Sequence, residues 1–200
     1  MIARACLVLA VAAAGAFAPG AAQAQQSMMQ SQQLTVGGNT PQVCTLAQGD
    51  LRTGQLINFR GTDGDTLRVL ELVDPRTLAA KSARATVMLG AVCNFPHRVR
   101  VETQDNGLWP IEGPVAPTTP DFATALPYRI SFDWADRTGR LEADAKVRSA
   151  REARTDIDSP AAGELTLTIE MDAGSSNTQI GAPVLAGAYA DTLRIYLEPR

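Results

Sequence analysis

The chain has 200 residues, 45% of them hydrophobic and 20% charged, which is enough length and apolar content for one domain with a buried core. Its formal charge of −3 becomes −4 without the first 24 residues, whose only charged residue is Arg4; basic residues are also spread along the chain, which argues against a nucleic-acid surface.

The opening stretch "MIARACLVLAVAAAGAFAPGAAQAQQ" joins one basic residue, an apolar run from Cys6 to about Phe17 and the small-x-small site Ala22-Gln23-Ala24. This is the pattern of a secretory signal peptide over residues 1–24, cut before Gln25. The run is short for a bilayer span, and no charged stop-transfer flank follows it, so an exported chain without a membrane anchor is expected. Residues 25–40, "QQSMMQSQQLTVGGNT", are polar and glutamine-rich with no helical stripe, the composition of a flexible leader. Residues 41–200 are then the folded domain.

Loss of the signal leaves two cysteines, Cys44 and Cys93. In an oxidising compartment they most simply form a disulfide, whose closed loop is worth on the order of 4 kcal/mol in the chain-entropy model. Two alternatives stay open: two free thiols, or a metal site that adds His97, four residues after Cys93. A closed zinc site needs four ligands, and the chain has one histidine and no second cysteine pair, so neither metal nor cofactor is expected.

From there the pattern is period two. "ATVMLGAVC" puts Val87, Leu89, Ala91 and Cys93 on one face, and "RVRVE" does the same with Val99 and Val101. "LPYRISFDWAD" aligns Tyr128, Ile130, Phe132 and Trp134, and "GELTLTIEM" aligns Leu165, Leu167, Ile169 and Met171. Each predicts a strand. "GRLEADAKVRSAREAR" has helical composition, yet Leu141, Ala143, Ala145 and Val147 alternate with charged residues. It predicts a charged edge strand, paired with residues 128–134 across a "DRTG" turn. The next stretch, "SAREARTDIDSPAAG", reads as a loop with room for a helical turn, and the proline-rich residues 109–126 read as a long extended loop. The closing "DTLRIYLEPR" alternates Leu193, Ile195 and Leu197 with Arg194 and Glu198, a half-buried strand.

Turn signals at "GTDGDT" (61–66), "QDNG" (104–107), "SPAAG" (159–163) and "DAGSSN" (172–177) separate short strands, which describes an antiparallel β-sandwich. Residues that carry chemistry are sparse. His97, between Pro96 and Arg98, reads as a surface or strand-edge histidine. Asp63 and Asp65 fit a tight hairpin turn better than a calcium loop, and Asp133 with Asp136 is too common a pairing to mark an acid–base device. Trp109 and Trp134 suit a buried tryptophan beside a disulfide better than a sugar platform. No catalytic set is expected.

Three blocks together resemble the spore coat protein U domain, the fold of archaic chaperone–usher pilin subunits: "VMLGAVCNFPHRVRVETQDNG", "ALPYRISFDWAD" and "APVLAGAYADTLRIYL". The last carries the family's opening to its final strand at Gly187, Tyr189, Asp191 and Thr192, and Cys44 lies where the family has its first cysteine. The resemblance implies an all-β, immunoglobulin-like sandwich that lacks its last strand. It also implies a non-catalytic subunit of a surface fibre or coat, exported to the periplasm and then the cell surface. Its partners would be a periplasmic chaperone, an outer-membrane usher and like subunits. In that scheme Leu193, Ile195 and Leu197 line an open groove that the next subunit's leader fills, with Met28, Leu34 and Val36 on the inward face of the donor strand. The alternative is a stand-alone periplasmic or secreted β-sandwich binding module, completed by its own leader.

Overall fold

The structure, a computed structural model, describes residues 31–47, 52–61, 66–112 and 121–200. The chain divides into two units, Met1–Asn39 and Thr40–Arg200. In the first, residues 31–39 carry no regular secondary structure, and Leu34 and Val36 are 85% and 89% exposed. The signal stretch, Met28 and the aspartates Asp63 and Asp65 lie outside the described residues.

The second unit is all-β. Its first four strands are short: β1 Cys44–Leu46, β2 Arg52–Ile57, β3 Phe59–Gly61 and β4 Leu67–Val69. Next come β5 Ala83–Cys93, β6 His97–Thr103, β7 Trp109–Pro110, β8 Tyr128–Trp134 and β9 Arg137–Ala143. The chain closes with β10 Arg151–Ile157, β11 Ala161–Met171, β12 Tyr189–Ala190 and β13 Leu193–Pro199. No helix occurs among the described residues, so none there is long and apolar enough to cross a membrane.

Every strand pair is antiparallel. One sheet runs β1-β5-β11-β8-β9, with β2 pairing β5 below β1 on the same edge; a second runs β10-β6-β13. The pairs β3-β4 and β7-β12 stand apart from both. Alternation in the sequence sets the faces: β5 and β6 read buried at every second residue along their whole length. In register, Leu165 faces Leu89, Leu167 faces Val87 and Phe132, and Ile130 faces Leu141. Leu89, Ile130, Phe132, Leu141, Leu165 and Leu167 of the first sheet share one buried cluster with Val99, Val101 and Ile157 of the second. Each such apolar side chain contributes about 1.5–3 kcal/mol relative to exposure.

Two glycines are required by packing. A Cβ on Gly139 would sit 2.0 Å from Phe132 Cζ, so the bare backbone of β9 makes room for the ring opposite it. Gly107, at φ +141°, would bring a Cβ within 2.6 Å of Ala145 Cβ.

The predicted edge strand is shorter than its alternation suggests. β9 pairs with β8 as expected but ends at Ala143, because Ala145 turns to φ 54° and donates its N–H to Asn106 O at 2.7 Å. Val147 is therefore exposed rather than aligned with Leu141. The turn into β9 is Ala135-Asp136, both at positive φ, and Arg137 already pairs with Trp134, so "DRTG" is not the turn. Residues 149–163 are not a loop: β10 crosses to the other sheet and pairs with β6, and β11 starts at Ala161. The proline-rich segment is partly structured too. β7 pairs with β12, and Ala123, Thr124, Ala125 and Leu126 are buried.

Cys44 and Cys93 are directly opposite in the β1–β5 register and joined by a disulfide that closes a sequence separation of 49 residues. Protein recovered without reductant should take up no alkylating reagent at these positions, and two equivalents after reduction, as read by intact mass. Replacing both cysteines with alanine should cost about 2–5 kcal/mol in denaturant unfolding.

Candidate functional site

The closing strand β13 is an edge. Its one strand partner among the described residues is β6, with Leu193 opposite Thr103, Ile195 opposite Val101 and Leu197 opposite Val99. Burial falls off sharply across this pair. Val99, Val101 and Thr103 are 0% exposed, whereas Leu193, Ile195 and Leu197 pack on the same core but stay half-buried. A strand in that position presents a bare row of backbone groups beside an incompletely covered apolar face.

The head of β13 is held by Asp191. Its Oδ1 accepts the N–H groups of Asp105 at 2.9 Å and Thr192 at 2.7 Å. Its Oδ2 accepts the N–H of Gly107 at 3.1 Å and the hydroxyl of Tyr128 at 2.8 Å. Thr192 O in turn accepts the N–H of Gln104 at 2.9 Å. These bonds tie the start of β13 to the turn after β6 and to the first residue of β8. Burial, reinforced by the negative charge of Asp191, pushes the Tyr128 phenol well above its usual pKa, so it stays a donor.

Asn106 completes the turn. It is 0% exposed at φ 55°, its N–H donates to Thr103 Oγ1, and its side-chain amide donates to Asp144 Oδ1 at 2.7 Å and Val147 O at 3.1 Å. Its Oδ1 accepts the Asp144 N–H at 3.0 Å. Burial works against the Asp144 charge, but the Lys146 N–H, Asn106 and the Arg151 guanidinium outweigh it and hold this carboxyl below its ordinary range. Of the other motif residues, Gly187 lies in the bend before β12, and Tyr189 donates its hydroxyl to Leu185 O at 2.7 Å.

The outer face of β10-β6-β13 is covered by charge. Arg100 at its centre meets Glu102 at 2.7 Å, Glu198 at 3.4 Å and Glu152 at 3.6 Å, with its guanidinium 3.7 Å from the Tyr196 ring centroid. Arg98 pairs with Asp156 at 2.5 Å, and Arg194 with Glu102 at 3.3 Å. This face is covered by charge pairs, whereas Leu193, Ile195 and Leu197 on the inner face stay half-buried.

His97 is buried at 0% exposure, not on the surface as expected from its neighbours. Although it opens β6, its ring points inward with Thr103 and the two valines and is satisfied at both nitrogens. Trp134 Nε1 donates to Nε2 at 2.8 Å, and Nδ1 lies 2.8 Å from Phe95 O. Trp134 is buried as expected, through this histidine. Asp133 accepts a bond from Thr138 Oγ1 across the β8–β9 hairpin, and Asp136 sits in its turn. Of the residues singled out in the sequence, the structure brings together Asp191 and Thr192 with Leu193, Ile195 and Leu197. The partners Asp105, Gly107 and Tyr128 were not legible as such, although "QDNG" and "LPY" marked their segments.

Compared with models of known protein families and with curated proteins, the chain matches none.

Replacing Asp191 with alanine leaves three backbone N–H groups and the Tyr128 hydroxyl without their acceptor. Urea unfolding should show a loss of about 2–4 kcal/mol, and Tyr128→Phe, which removes one of the four bonds, about 1 kcal/mol. Equal losses for the two would mean that the carboxylate does not hold the turn.

Proposed function

We propose that this chain is an exported, non-catalytic structural subunit of a surface fibre or coat. In this reading its immunoglobulin-like β-sandwich is one strand short and is completed by the leader of a like subunit. The observation that carries the reading is the half-burial of Leu193, Ile195 and Leu197 on an edge strand whose neighbour β6 buries its inward residues, His97, Val99, Val101 and Thr103, completely. An added strand would satisfy the bare backbone row and finish covering these three side chains, on the order of 1 kcal/mol each. Leu34 and Val36, exposed in the leader unit, supply apolar residues at alternate positions for that strand. The disulfide is consistent with export. A periplasmic chaperone would cover the same groove before assembly, and an outer-membrane usher would exchange it for the next subunit.

The polar groups in the interior support a structural role. His97, Thr103, Asn106 and Thr124 are buried, and each is bonded to a neighbouring loop or strand.

Removing residues 25–40 should leave a folded monomer that no longer polymerises, and charged residues at Leu34 and Val36 should act the same way. A peptide of residues 27–40 should raise the melting temperature of the truncated chain by several degrees at roughly a hundred times its Kd, and a scrambled peptide much less. If the truncated chain unfolds as a monomer, the leader completes its own domain, and a stand-alone binding module replaces the fibre subunit.

A further inference from the structure

We infer that Asn106 is a site of spontaneous covalent modification, closed while the corner around Asp191 is intact and reactive once that corner opens. Asn106-Gly107 is the one asparagine–glycine pair in the chain. In such a pair the glycine nitrogen attacks the side-chain amide before it, because no Cβ crowds that nitrogen and the glycine backbone turns freely. Both residues are buried in the turn after β6, Asn106 at φ 55° and Gly107 at φ 141°.

The fold fastens attacker and target to different partners. The Gly107 N–H donates to Asp191 Oδ2 at 3.1 Å. A carboxylate in that place stabilises the protonated amide and opposes the amide anion that attack requires. The Asn106 side chain is held by the segment that follows β9. Its Nδ2 donates to Asp144 Oδ1 at 2.7 Å and to Val147 O at 3.1 Å, and its Oδ1 accepts the Asp144 N–H at 3.0 Å. Turning this amide toward Gly107 breaks all three bonds at a residue with no exposure to water. The reaction therefore runs through the open corner, and its rate follows the fraction of chains in which the corner is open.

The step balances without electron transfer. The Gly107 nitrogen loses its proton and bonds to Asn106 Cγ; the Cγ–Nδ2 bond breaks, and ammonia leaves with that proton. The cyclic imide then takes up one water. Opening at Cγ gives aspartate, and opening at the main-chain carbonyl gives isoaspartate.

Neither product rebuilds the corner. Aspartate puts a carboxylate oxygen where Nδ2 was, against Asp144 Oδ1 and Val147 O, so two buried hydrogen bonds become contacts between acceptors and two carboxylates meet. Isoaspartate lengthens the main chain between Thr103 and Gly107 and displaces the N–H groups that Asp191 accepts. That corner holds the head of β13. Conversion thus withdraws from the folded pool the chains whose closing strand has come loose.

The test incubates the full chain in mildly alkaline buffer, native and unfolded in guanidinium, and maps tryptic peptides by mass for the amide-to-acid change at Asn106. The native chain should convert about tenfold more slowly or less than the unfolded one. Asp191→Ala should convert faster than a chain with both Cys44 and Cys93 replaced by alanine, which keeps the Asp191 bonds. Should Asp191→Ala not fold, Tyr128→Phe, which removes one of the four bonds to Asp191, should still convert faster than the native chain. Converted chains should not regain the native unfolding midpoint when the denaturant is removed. Equal rates in native and unfolded chains, no conversion at Asn106 in the unfolded chain, a folded Asp191→Ala no faster than the cysteine-free chain, an unchanged rate in Tyr128→Phe, or converted chains with native stability would each overturn the inference.

Discussion

The carboxylate of Asp191 is the group on which the closing strand depends. One side chain gathers donors from the turn after β6, from its own next residue and from Tyr128 on β8, so it joins the three-stranded sheet to the larger one where β13 begins. With that end fixed, the pairing of Leu193 with Thr103 follows, and every later residue of β13 falls on a determined face. An edge strand supported on one side is otherwise free to slip. Here the slip is prevented by hydrogen bonds at its head rather than by a second neighbour.

That anchoring holds the head of an edge strand that pairs on one side among the described residues. Charge pairs around Arg100 cover the outer face of the three-stranded sheet, and its inner face merges with the common core until it reaches β13, where cover thins. The far edge of the same sheet, β10, is the sequence Arg-Glu-Ala-Arg-Thr-Asp-Ile, whose charges discourage further pairing. The two edges thus differ in kind, and in the proposed reading only β13 is left receptive. At the other end of β6 from Asp191, His97 is bonded to Trp134 on β8, while the Cys44–Cys93 disulfide joins β1 to β5.

The long strands were readable because their alternation is uninterrupted: β5, β6 and β8 bury the residues that their period-two pattern placed inward, and β11 buries Leu165, Leu167 and Met171 with Ile169 half-buried. β9 was readable only to Ala143, since alternation in the letters continues through Ala145 and Val147 while the backbone turns to positive φ at Ala145. β10 was hidden because its inward residues, Ala153, Thr155 and Ile157, are mostly small or polar among charges. The site divides in the same way. Leu193, Ile195 and Leu197 declared themselves by period. The bonds from Asp105, Gly107 and Tyr128 to Asp191 span 63 to 86 residues, and the burial of His97 depends on Trp134, 37 residues away; no local pattern encodes either.

Amide hydrogen exchange along β13, measured on a chain lacking residues 25–40 with and without the 27–40 peptide, tests the open edge most directly. The β13 amides that point away from β6 should exchange rapidly in the free monomer and become protected when the peptide binds, while those of β5 and β6 stay protected throughout. Uniform protection of every β13 amide in the free, folded monomer would contradict an open edge and a missing strand.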